Sequence, residues 1–244
     1  MSKKKQPQHT GETSDLATLI GRDINRSSFE IKCKFELNDV HKTALQLMTL
    51  DKTKIVFIDG PAGSNKTYLS VMAGLTLLAE KKVSNIVYIR SVVESASKSI
   101  GALPGEIEDK FRPWSIPLME KLDELIPKTA SFNLLKEDQI KCIPVNFVRG
   151  MTFHNSFVIV DEIQNFDLKE ATTILTRFGQ NSKYAVVGDS KQADIGSKSG
   201  FAQILKAFDD EECERNGIHT IKFGENEIVR SKILKLITRK LSAL

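Results

Sequence analysis

The sequence predicts an α/β fold, a mainly parallel central sheet covered by helices on both faces in three α/β/α layers. Three observations carry that reading. Short, nearly continuous apolar runs of strand length alternate with longer Leu-, Ala- and Met-containing stretches, the pattern of a sheet buried on both faces. Between the first such run and the helix-like stretch after it stands Gly60-Pro61-Ala62-Gly63-Ser64-Asn65-Lys66-Thr67, a glycine-bearing strand-to-helix turn. Other apolar runs end in acidic or polar residues, and ligands of parallel sheets gather at the carboxyl ends of strands.

In chain order, residues 1–28 are Lys-, Gln-, Thr- and Ser-rich and read as a flexible polar tail. Residues 29–244 form the folded domain. Residues 29–35 alternate apolar and polar side chains, which predicts a half-buried edge strand. Asn38 caps a helix that buries Val40, Ala44, Leu45 and Met48. Residues 54–59 are the first buried strand, and residues 68–80 the helix beyond the glycine turn. Residues 85–90 form a second strand, and 91–105 a polar loop. Residues 106–126 have helical spacing interrupted by Pro113 and Pro117, which predicts two helical pieces. Strands follow at 141–148, 156–160 and 183–187. A helix at 168–178 stops at Gly179, and a second occupies 200–208. A last strand at 219–223 precedes a closing helix at 227–241.

The 244 residues suffice for one large domain. With 41% hydrophobic and 27% charged residues the composition is that of an ordinary water-exposed protein, and a formal net charge of +4 permits an anionic partner without demanding one. Cys33, Cys142 and Cys213 have no metal-ligand spacing and read as reduced thiols. No apolar run approaches membrane-spanning length and the N-terminus is not signal-like, so the expectation is a cytoplasmic protein without a membrane partner.

The chemistry concentrates at strand ends. In the glycine turn, Gly60 and Gly63 allow backbone N–H groups to converge on an anion, helped by the following helix N-terminus. Lys66 would reach the outer phosphates of a nucleoside triphosphate, and Thr67 would place its hydroxyl on Mg²⁺. The pattern calls for Gly where Asn65 stands. A left-handed backbone explains that demand, and Asn tolerates it best among the other residues. The strand at 156–160 lands on Asp161-Glu162: Asp161 suits the Mg²⁺ shell, Glu162 the polarisation of attacking water. The strand at 183–187 delivers Gly188 and Asp189, with Gln192 placed to contact the γ-phosphate and the water.

These stretches resemble the PhoH family of ATPases, single RecA-like P-loop domains related to superfamily-one helicase cores. The resemblance rests on residues 60–69, 101–105, 148–152, 159–165, 175–179, 187–194 and 228–230, in that order. It implies ATP as ligand, Mg²⁺ as cofactor, ATP hydrolysis, and single-stranded RNA or DNA as partner, with possible helicase activity. Some members are fused to a ribonuclease domain, and the expectation here is a stand-alone domain. Pro61, Ala62, Ser64 and Tyr68 complete the expected nucleotide-binding set. Where the family tends to carry an adenine-reading Gln, this chain has His41, which is either a base contact with fewer hydrogen bonds or a surface helix residue. After Arg90 the chain has Ser91 where the family often has Pro.

An arginine finger contributes about 10³–10⁵-fold to phosphoryl transfer. Arg230 is the first candidate, ahead of Arg177 and Arg149, unless a neighbouring subunit supplies one. By analogy with other RecA-like motors, a homo-oligomer such as a hexameric ring is expected. Arg90, Lys98 and the 91–105 loop are candidates for nucleic-acid contact, mainly to phosphates because the loop lacks aromatic residues. Two rivals stand beside the ATPase reading. One is a nucleotide-binding switch with little hydrolysis, favoured by Asn65. The other is a small-molecule kinase, disfavoured by water-activating Asp161, Glu162 and Gln192.

Overall fold

The structure is a computed structural model that describes residues 29–91 and 107–229, together with residues 233, 236, 237 and 240, with the backbone alone for residues 107–114. The tail at 1–28, all but Ser91 of the loop at 91–105, Arg230 and most of the closing helix lie outside the described residues.

Among the described residues six strands form one parallel sheet: β1 (Ile55–Asp59), β2 (Asn85–Arg90), β3 (Ile140–Pro144), β4 (Ser156–Asp161), β5 (Lys183–Gly188) and β6 (Ile218–Lys222), in the order β3-β2-β4-β5-β1-β6. Side chains alternate across each strand, so one apolar run feeds two cores. Val56, Ile58, Ile86, Tyr88, Phe157, Ile159 and Val187 pack under one helical layer. That layer is α1 (Asp39–Thr49), α2 (Lys66–Ala79), α3 (Ile107–Leu125) and α4 (Lys128–Lys136). Phe57, Val87, Ile89, Val158, Val160 and Val186 face the other side. There α5 (Leu168–Leu175) contributes Ala171 and Ile174, and α6 (Phe201–Ala207) contributes Phe201, Ile204 and Leu205. A short α7 (Glu211–Arg215) leads into β6. Three α/β/α layers result, as the alternation predicted.

Local signals read correctly where they were chemical. Asn38 caps α1, its side chain accepting the His41 N–H at 2.9 Å. A cap not expected from the sequence is Asp167, which closes a capping box with Glu170 on α5.

Five expectations need correction. Residues 29–35 form no strand. Their backbone groups are taken by helices instead, with Lys32 N–H bonded to Leu125 O at 2.7 Å and Lys34 N–H to the Tyr68 hydroxyl at 3.2 Å. Pro113 and Pro117 do not split α3, which runs unbroken for 19 residues. β3 ends at Pro144, and Val145–Phe147 turn as a 3₁₀ helix, because Pro144 sits at the strand's last position and Val145 and Val148 fold back onto the second core. α5 stops at Leu175, short of Phe178, where Phe153 pairs with Phe178. α4 and α7 occupy stretches for which no element was expected.

Candidate functional site

β1 ends at Asp59, and the chain turns at once over the carboxyl edge. Gly60 N–H is held by Gly188 O at 3.0 Å. A side chain at Gly60 would collide with Phe223, whose Cβ would lie 2.5 Å away. Gly63 has φ +81° and Asn65 has φ 60°, ψ 23°, the left-handed geometry inferred for that position. Asn65 gains no cap contact from its side chain, and its Nδ2 is buried without a partner. Lys66 folds over the loop, donating to Gly60 O at 2.6 Å and Pro61 O at 2.9 Å. Burial lowers the Lys66 pKa, against the opposing pull of Asp189, Glu162, Asp161 and Asp59. One ammonium therefore sits in the field of four carboxylates.

Two flanking segments brace the loop. His41 is buried on α1, which removes the surface reading: a ring nitrogen stands 3.2 Å from Ser64 O and its ring meets Phe223 edge-on at 5.2 Å. Because a carbonyl only accepts, Nε2 carries the proton, and Nδ1 is left buried without a partner. Burial lowers the His41 pKa, which favours the neutral ring. From the other side Val229 N–H bonds Gly63 O at 3.2 Å, and buried Glu227 receives Asn38 Nδ2 at 2.9 Å. Arg230 itself lies outside the described residues, but its neighbour is stitched to the glycine turn.

Across the edge, β4 presents the acids. Thr67 Oγ1 donates to Asp161 Oδ1 at 2.9 Å, so the first residues of α2 and the tip of β4 meet directly. Asp161 Oδ1 also takes the Glu162 N–H at 3.1 Å, and Oδ2 takes the Tyr88 hydroxyl at 2.5 Å. Burial, joined by the Asp161 charge, pushes the Tyr88 phenol far above its ordinary range, so it stays a donor. Glu162 adopts the left-handed φ of 55°. It accepts from Gln164 Nε2 at 2.6 Å and lies 3.9 Å from the Arg90 guanidinium. Burial raises the Glu162 pKa and Asp161 adds to it, while Gln164, Arg90 and Lys66 pull it back.

β5, between β1 and β4, ties the two halves. Gln164 Oε1 accepts the Asp189 N–H at 3.0 Å while its amide holds Glu162. Asp59 takes the N–H and hydroxyl of Ser190, both at 2.8 Å. Asn165 and Asp194 bond reciprocally, at 2.8 and 2.9 Å. Gln192 stands exposed on the turn, and no side-chain hydrogen bond joins it to these groups among the described residues. The glutamine packed between the strand tips is Gln164.

The structure thus brings together Gly60, Pro61, Ser64, Lys66, Thr67, Asp161 and Glu162. Tyr68 is not among them: it is buried in the first core, edge-on to Phe35, with its hydroxyl donating to Lys32 O at 3.3 Å. Ala62 is exposed on the loop's outer side. Arg177 bonds through its carbonyl to Phe153 N–H, beside the start of β4 and thus at the opposite edge of the sheet. Arg149 is exposed on the return from β3 to β4. Among the described arginines, Arg90 is the one that reaches a site carboxylate.

Among the described residues no cluster of three or more His, Cys, Asp or Glu side chains could hold a metal. One carboxylate and one hydroxyl at Asp161 and Thr67 fit Mg²⁺, which keeps several waters and borrows phosphate oxygens. No helix of the described residues is long and apolar enough to cross a membrane.

Comparison with known proteins gives one family. The family model described as PhoH-like protein matches residues 38–242. A PhoH-like protein of Bacillus subtilis (strain 168) is 33% identical over 193 residues, covering 77% of this chain and 58% of the relative. A PhoH-like protein of Mycobacterium tuberculosis (strain H37Rv) is 34% identical over 198 residues, with 77% and 53% covered. Protein PhoH of Escherichia coli (strain K12) is 31% identical over 191 residues, with 77% and 52% covered. The chain spans a little over half the length of these relatives. Among solved structures, the Sulfolobus solfataricus SWI2/SNF2 ATPase core in complex with dsDNA superposes with a TM-score of 0.45 at 14% identity, over 79% of this chain and 45% of that one.

Proposed function

The chain belongs to the PhoH-like family, and from that premise we propose that it is a Mg²⁺-dependent ATPase whose cycle acts on single-stranded RNA or DNA. The observation that carries the reading is the meeting of Thr67 Oγ1 with Asp161 Oδ1 at 2.9 Å, at the start of α2 and beside the Lys66 ammonium. Asp161 and Thr67 would hold the metal, which supplies neutralisation of phosphate charge. Lys66 exchanges its loop carbonyls for phosphate oxygens, and the α2 N-terminus adds its N–H groups. Glu162 accepts a proton from attacking water, its carboxylate steadied by Gln164. His41 holds the loop through Ser64 O.

The rest of the reading follows the family resemblance. Arg230 is the finger within the chain, supported by the Val229–Gly63 bond, and a homo-oligomer, hexameric in related motors, is the assembly proposed. A nucleic-acid strand crossing the carboxyl edge would meet Arg90, half-buried at the tip of β2.

The rival switch reading rested on Asn65. At φ 60° that residue follows the backbone path glycine would take, so the course of the loop does not separate the two readings and turnover must. Steady-state phosphate release from ATP, with and without single-stranded RNA and DNA, tests the proposal. Turnover that needs Mg²⁺ and rises with nucleic acid supports it; tight ATP binding without turnover supports the switch.

A further inference from the structure

Tyr88 lies in the middle of β2, outside every stretch that pointed to the site in the sequence. Its side chain is fully buried, yet its hydroxyl donates to Asp161 Oδ2 at 2.5 Å. Strand register explains the reach. Tyr88 stands opposite Ile159, two residues before Asp161 and on the same face of the sheet, so its long side chain extends along β4 to the strand's end. The other oxygen, Oδ1, is already engaged by Thr67 Oγ1 at 2.9 Å and the Glu162 N–H at 3.1 Å. Both oxygens are thus held, and rotating the carboxylate would cost these hydrogen bonds. A short O–H···O⁻ contact to an ionised group is the stronger kind of hydrogen bond.

We propose that Tyr88 is a positioning residue for the metal: it fixes the Asp161 carboxylate so that Oδ1 faces the Thr67 hydroxyl. The proposal rests on the Mg²⁺-ATPase reading and deepens it. Tyr88 reaches the site only through Asp161, so its effect is specific to the metal-bearing part of nucleotide binding. The bland alternative is a buried phenol that merely finds an acceptor to avoid an unpaired hydroxyl. That role costs stability when lost but leaves metal dependence alone.

Tyr88→Phe preserves volume and removes the donor. Binding of a fluorescent ATP analogue is measured in EDTA and across a Mg²⁺ titration, and Mn²⁺ binding to the nucleotide complex is followed by electron paramagnetic resonance. Loss of a group that orients a metal ligand typically weakens metal affinity 10–100-fold. The expected result is an EDTA affinity within about twofold of wild type, with Mg²⁺ and Mn²⁺ half-saturation raised on the order of tenfold. Half-saturation unchanged in a folded variant overturns the proposal while leaving the ATPase reading intact. A wild-type protein that binds no nucleotide, or binds it without regard to metal, overturns the ATPase reading and the proposal with it. If Tyr88→Phe does not fold, the intact chain answers through ¹³Cζ-tyrosine NMR. The sequence has three tyrosines, and Tyr68→Phe and Tyr184→Phe assign the third signal. A Tyr88 resonance that moves on adding Mg²⁺ to the nucleotide complex, but not with nucleotide in EDTA, supports the role; one indifferent to Mg²⁺ overturns it.

Discussion

Replacing Asn65 by glycine should stabilise the nucleotide-free protein. Two costs meet at this residue. Its backbone is left-handed, at φ 60° and ψ 23°, which costs an L-residue roughly 1–2 kcal/mol, less for Asn. Its side-chain amide is buried with Nδ2 unpartnered, a further loss of about 1–3 kcal/mol. Glycine removes both but adds about 0.5–1 kcal/mol of unfolded-chain entropy. The balance favours Asn65→Gly by about 1–2 kcal/mol, which for a chain of this size raises the thermal midpoint by about 2–4 °C per kcal/mol. Differential scanning calorimetry in phosphate-free buffer measures it. Asn65→Ala is the control: it also deletes the amide but keeps the left-handed cost, and should fall below Asn65→Gly by about 1 kcal/mol. A midpoint for Asn65→Gly at or below wild type refutes the reasoning, and equal midpoints for Gly and Ala refute its backbone half.

Lys66→Ala should abolish ATP turnover, as read by phosphate release, because Lys66 is the ammonium on which Asp189, Glu162, Asp161 and Asp59 all act. Glu162→Gln should retain ATP, seen by filter binding, while kcat falls about 10²–10⁴-fold, the usual contribution of a positioned base; normal hydrolysis would remove Glu162 from that role. In Gln164→Leu the acid limb of the pH–rate profile should move to higher pH. Gln164's hydrogen bond favours the Glu162 carboxylate and holds its pKa down against burial and Asp161, so its loss lets the pKa rise and the active ionised form is reached later. Gly188→Ala should lower both kcat and thermal stability, since a Cβ there would lie 2.6 Å from Gln164 Oε1 and 2.7 Å from an Ile163 methyl.

What could be read from the sequence was what neighbouring residues decide. The glycine turn, the Asn38 cap, the left-handed Asn65 and the acidic landing of β4 each depend on a few consecutive residues. Residues 29–35 show the limit. Their alternation is genuine, with Phe29 buried and Ile31 and Phe35 packed on the first core, but the partner is the helical layer rather than a sheet edge, a tertiary choice that period alone does not encode. The prolines of α3 misled for the same reason: each removes one N–H, and the packing of Leu118, Leu122 and Leu125 outweighs it. Tyr88 was invisible as a site residue because sheet register, not spacing along the chain, delivers it; Gln164 lay inside the 159–165 stretch but its role depends on a buried turn. His41 is the intermediate case. Its position on a capped helix was legible, but its burial depends on Phe223 and Ser64 arriving from elsewhere.

The strand order gives the site its wiring. With β5 inserted between β1 and β4, the strand that leads into the glycine turn and the acid-bearing strand do not touch each other along the sheet. They are joined at the edge by the Thr67–Asp161 hydrogen bond and through the turn beyond β5. Asp59 of β1 holds Ser190, Gln164 beyond β4 holds Asp189, and Asn165 holds Asp194. Three contacts therefore anchor a six-residue turn, and one anchor, Gln164, has its other end on Glu162. A shift of the Glu162 carboxylate toward a bound nucleotide must either break the Gln164 bond or carry Gln164 with it, and in the second case the Asp189 N–H loses its acceptor. Because that N–H is buried, losing it is costly, so the turn and Glu162 are favoured to move together. Under the ATPase reading, a change at Glu162 would in this way be felt on the turn beyond β5.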